Sequence, residues 1–415
     1  MKSVGIIGGG INGLLSAYYL KKEGCDVTVI EQGSLIDGCS LGNAGMIVPS
    51  HIIPLAQPGM IAKGLRWMMS ATSPFYIKPR FDKNLLKWGW LFWRHSTEAH
   101  VQYSIPVLRD ISLLSKQLFK DLAHSGEMEF GWQERGLFML FKHAEAQAEM
   151  AEEAHFANEA GIEAHLLSGS EVQAMEPDVQ VTVQGAVYYP GDAHLSPNRL
   201  IEALVSYLRA NGVWFLENIV VEDFETRGGQ VKKIVTNSGN YTFDELVIAS
   251  GAWSPKLTEC LGISLPLQGG KGYSFMVNNI DKNVKVPAIM LEARATATPM
   301  GDHLRFAGTM EIAGTDLSVN MNRVRGIYQS INQYYPDIQV AMPQKHQIWK
   351  GLRPCSPDGL PYIGRIPHLS NVTLATGHGM MGISLGPATG KLVSEIVTHQ
   401  KTSMDIQAFN PVRFS

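Results

Sequence analysis

The feature that most constrains this fold is a glycine-rich turn close to the start of the chain. Val4-Gly5-Ile6-Ile7 is an apolar run typical of a short buried strand, and it leads directly into Gly8-Gly9-Gly10-Ile11-Asn12-Gly13. A helix is predicted to follow through Leu20, and Asp26–Ile30 is predicted to form a second strand before Glu31. This order of strand, turn, helix and strand is the βαβ unit that binds dinucleotides.

Each part of this unit has a physical role in holding a dinucleotide. Gly8 permits the tight turn, Gly10 lets backbone N–H groups approach a pyrophosphate, and Gly13 lets the helix pack closely on the strand. The positive end of the helix dipole faces the phosphates. Glu31, eighteen residues after Gly13, can accept hydrogen bonds from an adenosine ribose. The sequence therefore predicts a protein that binds an adenine dinucleotide.

Size and charge narrow the class of protein further. At 415 residues the chain exceeds one typical core, which favours two domains. A net charge of −3, without a run rich in Lys or Arg, argues against nucleic-acid binding. The four cysteines lie far apart and show no metal-ligand spacing, so we expect reduced thiols, no metal site and a cytoplasmic protein. No signal peptide is expected ahead of the first strand.

Glycine-bearing turns indicate how two domains share the chain. They recur at residues 8–13, at Ser250-Gly251 and within 351–390, so one domain is predicted to be assembled from separated stretches. We expect a nucleotide-binding domain at 1–55, 155–258 and 345–415, and a substrate domain at 56–154 and 259–344. Short β-rich runs over 265–345 predict an antiparallel sheet in the substrate domain. The expected fold class is α/β, a Rossmann-like domain with an inserted domain built on an antiparallel sheet plus helices.

A second combination of strand, turn and helix lies near the end of the chain. Residues 373–376 are predicted to form a strand, Gly377-His378-Gly379-Met380-Met381-Gly382 a turn, and residues 383–398 a helix. Backbone N–H groups at such a helix start stabilise the negative charge of a reduced flavin. A nicotinamide dehydrogenase does not need this element, so the sequence favours a flavin.

Five passages together resemble the D-amino-acid oxidase superfamily of FAD enzymes over essentially the full length. They are residues 8–31; Ser40-Leu41-Gly42-Asn43-Ala44-Gly45-Met46; Lys271-Gly272-Tyr273; residues 351–354 with 357–365; and Gly377-His378-Gly379 with Gly382. The Asn-Ala-Gly loop, Pro54 and Pro58-Gly59 are most similar to the bacterial D-amino-acid dehydrogenases. The resemblance implies non-covalent FAD and oxidation of a C–N bond next to a carboxylate.

The resemblance also implies which residues hold FAD. The first turn and the end of the second strand would hold the AMP half, with Val220 near the adenine. The loop at 40–46 would line the pyrophosphate and ring, and the last turn would reach the isoalloxazine edge. The implied cofactor-binding residues are Gly8, Gly10, Ile11, Asn12, Gly13, Glu31, Gln32, Ser40, Asn43, Ala44, Gly45, Met46, Val220, Gly251, Trp253, Gly379, Met380, Met381, Gly382 and Ile383.

Three residues are candidates for contact with substrate. Arg353 is similar to the family arginine that binds the substrate carboxylate, and the alternative is an ion pair with Asp358. Tyr273 is the weaker candidate for a second fixed point through its hydroxyl. His51 lies beside a loop expected to approach the flavin, although a lone histidine there is more often a structural hydrogen-bonding group.

Two departures from the family pattern bear on the activity. Glycine-oxidase-like relatives keep a second arginine where this chain has Met380, which argues against glycine oxidation. Sarcosine oxidases tether flavin through a cysteine, but Cys355 is only two residues before Pro357, which favours non-covalent FAD.

These features favour an enzyme that oxidises a D-amino acid by hydride transfer from the α carbon to flavin N5. The similarity of Pro49-Ser50-His51 to hydroxyproline-oxidising members suggests D-proline or cis-4-hydroxy-D-proline as substrate. Electrons would pass to a quinone or a carrier protein. The alternatives are an oxidase that uses oxygen, as glycine and sarcosine oxidases do, an FAD-binding subunit of a heteromeric amine dehydrogenase, and an NAD-dependent dehydrogenase.

The segment from 60 to 93 combines large apolar side chains with Lys and Arg. It contains Leu65-Arg66-Trp67-Met68-Met69 and then Leu85, Leu86, Trp88, Trp90, Leu91, Phe92 and Trp93. Amphipathic helices that close over the ligand site are the favoured interpretation. The alternative is a surface peripheral to the inner face of a membrane that meets a lipid-soluble electron acceptor.

Overall fold

The computed structural model of the protein describes residues 1–67 and 73–414. Met68 and Met69 of the aromatic segment therefore lie outside the described residues. The helices are α1 (Ile11–Lys22), α2 (Met60–Trp67), α3 (Lys83–His95), α4 (Glu98–His124), α5 (Ala144–Glu159), α6 (Gly169–Met175), α7 (Pro197–Ala210), α8 (Ser254–Cys260), α9 (Met321–Tyr334) and α10 (Gly386–Val397). Within the described ranges, no helix is both long enough and apolar enough to cross a bilayer.

The strands alternate with these helices along the chain. They are β1 (Ser3–Ile7), β2 (Asp26–Ile30), β3 (Met46–Ile47), β4 (Phe75–Ile77), β5 (Leu137–Phe141), β6 (His165–Ser168), β7 (Gly185–Tyr189), β8 (Ala193–His194), β9 (Trp214–Leu216), β10 (Val221–Arg227), β11 (Gln230–Thr236), β12 (Gly239–Tyr241), β13 (Glu245–Ile248), β14 (Gln268–Val277), β15 (Ala288–Met290), β16 (Ala295–Met300), β17 (His303–Ile312), β18 (Trp349–Cys355), β19 (Tyr362–Arg365) and β20 (Val372–Thr376).

A six-stranded sheet carries the glycine-rich fingerprint. Its order is β19-β20-β13-β1-β2-β9, and all neighbouring pairs are parallel except β19 with β20. The central strands are almost continuously apolar because helices and loops cover both faces, and Val4, Ile6, Val27 and Val29 have no exposed surface. The predicted α/β class with a Rossmann-like sheet is confirmed.

A second sheet of nine strands faces the first. Its order is β18-β14-β17-β16-β15-β5-β7-β6, with β4 added beside β17, and most pairs are antiparallel. Strands β6, β7 and β18 belong to this sheet, although they fall in ranges predicted for the nucleotide-binding domain. The chain therefore passes from one sheet to the other within those ranges. The domain bounds stay a prediction.

One helix interrupts the segment that we predicted to be wholly antiparallel sheet. Residues 265–345 contain β14 to β17 but also the helix α9. The sequence of α9 includes Val324, Ile327 and Ile331, which favour strands. In the structure all three are buried in one cluster with residues of the second sheet, so tertiary packing outweighs local propensity.

The first and last helices pack against each other at very short range. A Cβ atom on Gly390 would lie 2.6 Å from the backbone oxygen of Leu15, and one on Gly386 would lie 2.7 Å from the Leu15 side chain. Only glycine permits this approach of α10 to α1. It brings the N-terminus of α1 and the turn before α10 to the same edge of the parallel sheet.

Candidate cofactor and substrate site

A cavity of about 1120 Å³ opens where the parallel strands end. Ile7, Ile30 and Ala249, at or just after the carboxyl ends of β1, β2 and β13, all line it. Ligands of open α/β sheets bind at this edge. Residues of β14, β16, β17 and β18 line the opposite wall, so the cavity lies between the two sheets.

The predicted cofactor residues from both ends of the chain meet in this cavity. All of them line it except Gly13 and Gly45. The fingerprint residues Gly8 and Gly10 to Asn12 and the terminal residues Gly379 to Ile383 thus line one cavity, although they are separated by more than 360 positions. A short 3-10 turn at Gly379–Met381 precedes α10, which begins at Gly386, three residues later than predicted.

Gly13 and Gly45 lie behind the residues that line the cavity. A Cβ atom on Gly13 would lie 1.9 Å from the carbonyl oxygen of Gly8, so only glycine fits between α1 and the turn. Gly45 has a positive φ of 75°, and its N–H donates to the Asn43 side-chain oxygen at 2.9 Å. Both positions need glycine for backbone geometry.

The residues present fit an adenine dinucleotide. Gly10 at the start of α1 has no side-chain cap, and the Ile11 N–H donates to the Ser40 hydroxyl at 3.1 Å, so the other N–H groups of the first turn are those that can face a phosphate. The Glu31 carboxylate accepts the N–H groups of Gly9 and Gly33 at 2.7 and 3.0 Å, which fixes it at the end of β2 for a ribose. The buried Asn12 side-chain oxygen has no hydrogen-bond partner in the described part of the chain.

His378 ties the two glycine-rich turns together. Its Nδ1 lies 3.0 Å from the Asn12 amide nitrogen, and its Nε2 lies 2.9 Å from the Thr389 hydroxyl. Burial lowers the pKa of His378 to about 3, so the ring is neutral. It accepts from Asn12 and donates to Thr389, which makes it a structural link between α1 and α10.

Arg305, which the sequence did not single out, holds the predicted flavin loop in place. Its guanidinium donates to the carbonyls of Leu41 and Asn43 at 2.8 and 2.7 Å and to the Asn198 side chain at 2.6 Å. Burial lowers its pKa to about 10. A cation of β17 therefore fixes the loop at 40–46 against the second sheet.

Arg353 presents a guanidinium to the cavity from β18. It lies over the backbone of Gly272, where a Cβ atom would be 2.3 Å from Nη1, and Nη1 donates to the Thr309 carbonyl at 2.5 Å. No carboxylate of the described residues lies within ion-pair distance of it, because Asp358 pairs with Arg413 at 2.7 Å. The alternative of an Arg353–Asp358 ion pair is therefore excluded. Burial lowers the pKa of Arg353 from its ordinary value.

Tyr273 lines the cavity, but its hydroxyl is engaged on the other side. The hydroxyl donates to the Glu311 carboxylate at 2.7 Å and accepts the Asn320 N–H at 3.1 Å. Burial and Glu311 raise the pKa of Tyr273. The Tyr273 ring therefore lies at the cavity wall, and its hydroxyl hydrogen is donated to Glu311.

His51 lines the cavity from the loop after β3. Its Nδ1 lies 3.0 Å from the Ser50 hydroxyl oxygen. Burial lowers the pKa of His51 to about 4, so the imidazole is neutral at ordinary pH. A neutral imidazole in contact with the cavity can accept a hydrogen bond from the N–H of a bound amine.

Two further residues of the site were missed in the sequence. Trp349 lines the cavity on the same face of β18 as Arg353, and its ring fills the space over Gly42 and Gly351. The alternation of side chains along a strand could have predicted this. Thr309, which has a positive φ of 64°, accepts a hydrogen bond from Arg353 through its carbonyl oxygen. No sequence pattern predicts this contact.

Cys355 does not line the cavity. It is buried, its thiol lies 3.4 Å from the Arg353 carbonyl oxygen, and burial raises its pKa to about 11. A protonated thiol directed away from the cavity does not support a covalent flavin link.

Helix α3 separates the cavity from the outside. Trp88 and Phe92 line the cavity, and the Trp88 indole N–H donates to the Cys355 carbonyl at 2.9 Å. On the opposite face Leu86, Trp90 and Trp93 are 70%, 52% and 63% exposed. The helix therefore both closes the ligand site and presents an apolar outer face. The side chains of Leu65 and Trp67 lie outside the described part of the chain.

Known proteins resemble this chain in sequence and in fold. The family model described as FAD dependent oxidoreductase matches residues 3–396. The chain belongs to this family. A D-amino acid dehydrogenase of Vibrio vulnificus is 31% identical over 408 residues, which cover 97% of each chain. A D-amino acid dehydrogenase of Bradyrhizobium diazoefficiens is 29% identical over 416 residues, covering 99% of this chain and 98% of the relative.

Solved structures agree with this assignment. A glycine oxidase from Geobacillus kaustophilus superposes with a TM-score of 0.78 at 25% identity, covering 100% of both chains. An L-proline dehydrogenase from P. horikoshii gives 0.74 at 20% identity, covering 100% of this chain and 97% of that chain, and shows the fold alone. The predicted superfamily, the FAD cofactor and an FAD-dependent oxidoreductase are confirmed, and the NAD-dependent alternative is set aside.

The close contact at Gly13 predicts that Gly13→Ala loses FAD. The added methyl group must displace the Gly8 carbonyl, and overpacking of this kind costs about 1–3 kcal/mol, which weakens binding by about tenfold or more. The measurement is the ratio of flavin to protein absorbance during dialysis. Gly191→Ala is the control, because a Cβ atom there meets nothing within 4 Å. Equal flavin retention by both variants would contradict this role of Gly13.

Proposed function

We propose that the chain oxidises D-amino acids with FAD and passes the electrons to a quinone or a carrier protein. The observation that carries the proposal is Arg353, a partly buried cation without a carboxylate partner in the described ranges, on the wall of the FAD cavity. An amino-acid carboxylate supplies the missing anion. The D-amino acid dehydrogenases that are similar over nearly the full length support the same class of substrate.

Arg353 is held in an orientation suited to a carboxylate. The Thr309 carbonyl fixes Nη1 and the Gly272 backbone supports the plane of the guanidinium, so the remaining N–H groups can bind two carboxylate oxygens. Bound FAD supplies the acceptor for two electrons and the α hydrogen at its N5 atom. Holding the carboxylate is the first of the contacts that orient the α carbon, and a second contact, to the amine, is needed to select its face.

His51 and Tyr273 complete the proposed substrate contacts. The neutral ring of His51 lines the cavity as a hydrogen-bond acceptor for the amine. Tyr273 contributes its ring as a wall, since its hydroxyl hydrogen is donated to Glu311. The imine product hydrolyses to a 2-oxo acid and ammonia, whereas D-proline or cis-4-hydroxy-D-proline gives a cyclic imine.

Oxygen is the second candidate acceptor, favoured by the 25% identity with a glycine oxidase. The ratio of hydrogen peroxide formed to dye reduced distinguishes oxygen from a quinone or carrier protein as the acceptor. Hydrogen peroxide formed at the rate of dye reduction supports the oxidase, and reduction of dye or quinone with little peroxide supports the dehydrogenase.

The outer face of α3 is proposed to dock on an anionic bilayer, where a quinone dissolves. Leu86, Trp90 and Trp93 follow the spacing of one helix face, and α3 contains Lys83, Lys87 and Arg94 but no acidic residue. Exposed tryptophans favour the bilayer interface, and each Lys or Arg near an anionic surface contributes about 1 kcal/mol. The inner face of the same helix lines the FAD cavity, so docking there brings a lipid-soluble acceptor close to the cofactor.

The proposed activity predicts anaerobic bleaching of the flavin by D-amino acids. The assay compares D-amino acids, their L isomers, N-methyl amino acids and hydroxyproline isomers by absorbance in the flavin bands. D-Proline and cis-4-hydroxy-D-proline are the narrower candidates in this panel. A flavin that stays oxidised with every D-amino acid contradicts the proposed function and favours a partner-dependent subunit.

Within that assay Arg353→Ala is expected to raise the substrate concentration for half-maximal reduction by about a hundredfold, because a buried charged hydrogen bond is lost. FAD should stay bound. Arg353→Lys keeps the charge but loses the paired donors, so an intermediate effect is expected. Parent-like behaviour of Arg353→Ala would show that the carboxylate binds elsewhere.

The docking face predicts that the double variant Trp90→Asp, Trp93→Asp loses membrane binding. The expected result is at least tenfold weaker sedimentation with vesicles containing phosphatidylglycerol, and loss of reduction of vesicle-embedded quinone. Activity with a water-soluble dye should persist. Leu113→Asp, on an exposed apolar position of α4, is the control. A parent protein that stays unbound at low salt contradicts the docking proposal.

A further inference from the structure

A buried hydrogen-bond chain connects the interior to the cavity. Asp192, in the turn between β7 and β8, is fully buried, and its Oδ2 accepts the Ser50 hydroxyl at 2.5 Å. Its Oδ1 accepts the Ser50 backbone N–H at 3.1 Å. The Ser50 oxygen lies 3.0 Å from Nδ1 of His51, which lines the cavity. The chain thus runs from Asp192 through Ser50 to His51.

Asp192 is not the only link between these two segments. Strands β3 and β8 also pair there, through Met46 with His194 and Ile47 with Ala193. Burial raises the pKa of Asp192 to about 7, and among the described residues no cation lies within ion-pair distance of it. A buried carboxyl without a cation is costly, and such groups concentrate at functional sites.

The charge on Asp192 decides the direction of the hydrogen bonds. An ionised carboxylate only accepts, so the Ser50 hydroxyl donates to it, and the Ser50 oxygen then accepts from Nδ1–H of His51. The other ring nitrogen, Nε2, is left with a free lone pair. A protonated Asp192 donates to Ser50 instead, which turns Ser50 toward Nδ1 as a donor and places the proton on Nε2.

From this geometry we propose that Asp192 and Ser50 are positioning residues that hold His51 with its Nε2 lone pair as the hydrogen-bond acceptor for the substrate amine. The inference rests on the proposed function and names how the substrate nitrogen is oriented. The ammonium form of the substrate gives its proton to solvent water before it binds, because burial makes His51 too weak a base to take it. The neutral amine then donates an N–H to Nε2 and keeps the electron pair needed for oxidation.

Other ionisable groups lie around the same segment. They come from α2, α4, α5, β7 and the turn before β16, and they are Lys63, Lys116, Glu149, Glu153, Tyr189 and Arg294. Lys63 pairs with Glu149 at 3.1 Å, and the Tyr189 hydroxyl donates to Glu153 at 3.5 Å. Burial also raises the pKa of Glu153, so the test must remove Ser50 and leave Glu153 in place.

The test compares Ser50→Ala, which breaks the chain, with Ser50→Thr, which keeps a hydroxyl. The rate of flavin reduction at saturating substrate is measured against pH by anaerobic stopped flow. In the parent the rate should fall as pH drops through about 7, because protonation of Asp192 reverses the chain. Ser50→Ala should be slower by about tenfold to a hundredfold and lose this limb, with FAD content unchanged. Ser50→Thr should restore both.

Ser112→Ala is the matched control, since the buried Ser112 hydroxyl has no hydrogen-bond partner in the described part of the chain. It should keep the parent rate and pH profile. A Ser50→Ala enzyme that loses FAD or thermal stability but keeps the parent pH profile per bound flavin would overturn the inference, since that result indicates a purely structural role.

A substrate-independent measurement keeps the inference separate from the proposed function. Nitrogen NMR of 15N-histidine-labelled holoenzyme, with His51→Gln for assignment, reports which ring nitrogen carries hydrogen. At pH 8 the parent and Ser50→Thr should show the Nδ1–H form of His51, and Ser50→Ala should lose that preference. An Nε2–H form in the parent overturns the inference even if a substrate is found. A flavin that no amino acid reduces overturns the proposed function instead.

Discussion

The packing of α10 on α1 is the constraint on which the rest of the structure depends. Gly390 lets α10 approach the Leu15 backbone, and the His378–Asn12 hydrogen bond joins the turns at the ends of the two helices. The start of α1 and the turn before α10 therefore line one cavity, although they lie at opposite ends of the chain. A side chain at Gly390 would push the two helices apart, because it would meet the Leu15 backbone.

Two arginines of the second sheet contact the wall of that cavity in different ways. Arg305 donates hydrogen bonds to the carbonyls of Leu41 and Asn43 and so fixes the loop at 40–46. Arg353 is oriented by one carbonyl, that of Thr309, and retains donors directed at the cavity. A cation that backbone carbonyls satisfy is structural, whereas a cation with donors to spare needs an anionic ligand.

Local patterns predicted the parts of the fold and site that depend on neighbours in sequence. The fingerprint at 8–13 and the terminal turn could be predicted directly, because glycine spacing is a local property, whereas Arg353 was identified only through the family resemblance. The pairing of Asp192 with Ser50 spans 142 positions, and that of Arg305 with Leu41 spans 264, so neither leaves a local pattern. The helix α9 was missed because Val324, Ile327 and Ile331 favour strands, although their spacing of three and four residues is that of one helix face.

The central claim is that both ends of the chain hold one flavin. A crystal structure of the protein purified with FAD tests it most directly. The account predicts the ribose within hydrogen-bond distance of Glu31, the pyrophosphate at the start of α1 and the isoalloxazine ring against Gly379 to Ile383. A cofactor whose ring system points away from those terminal residues, with its adenosine still at Glu31, would contradict the account.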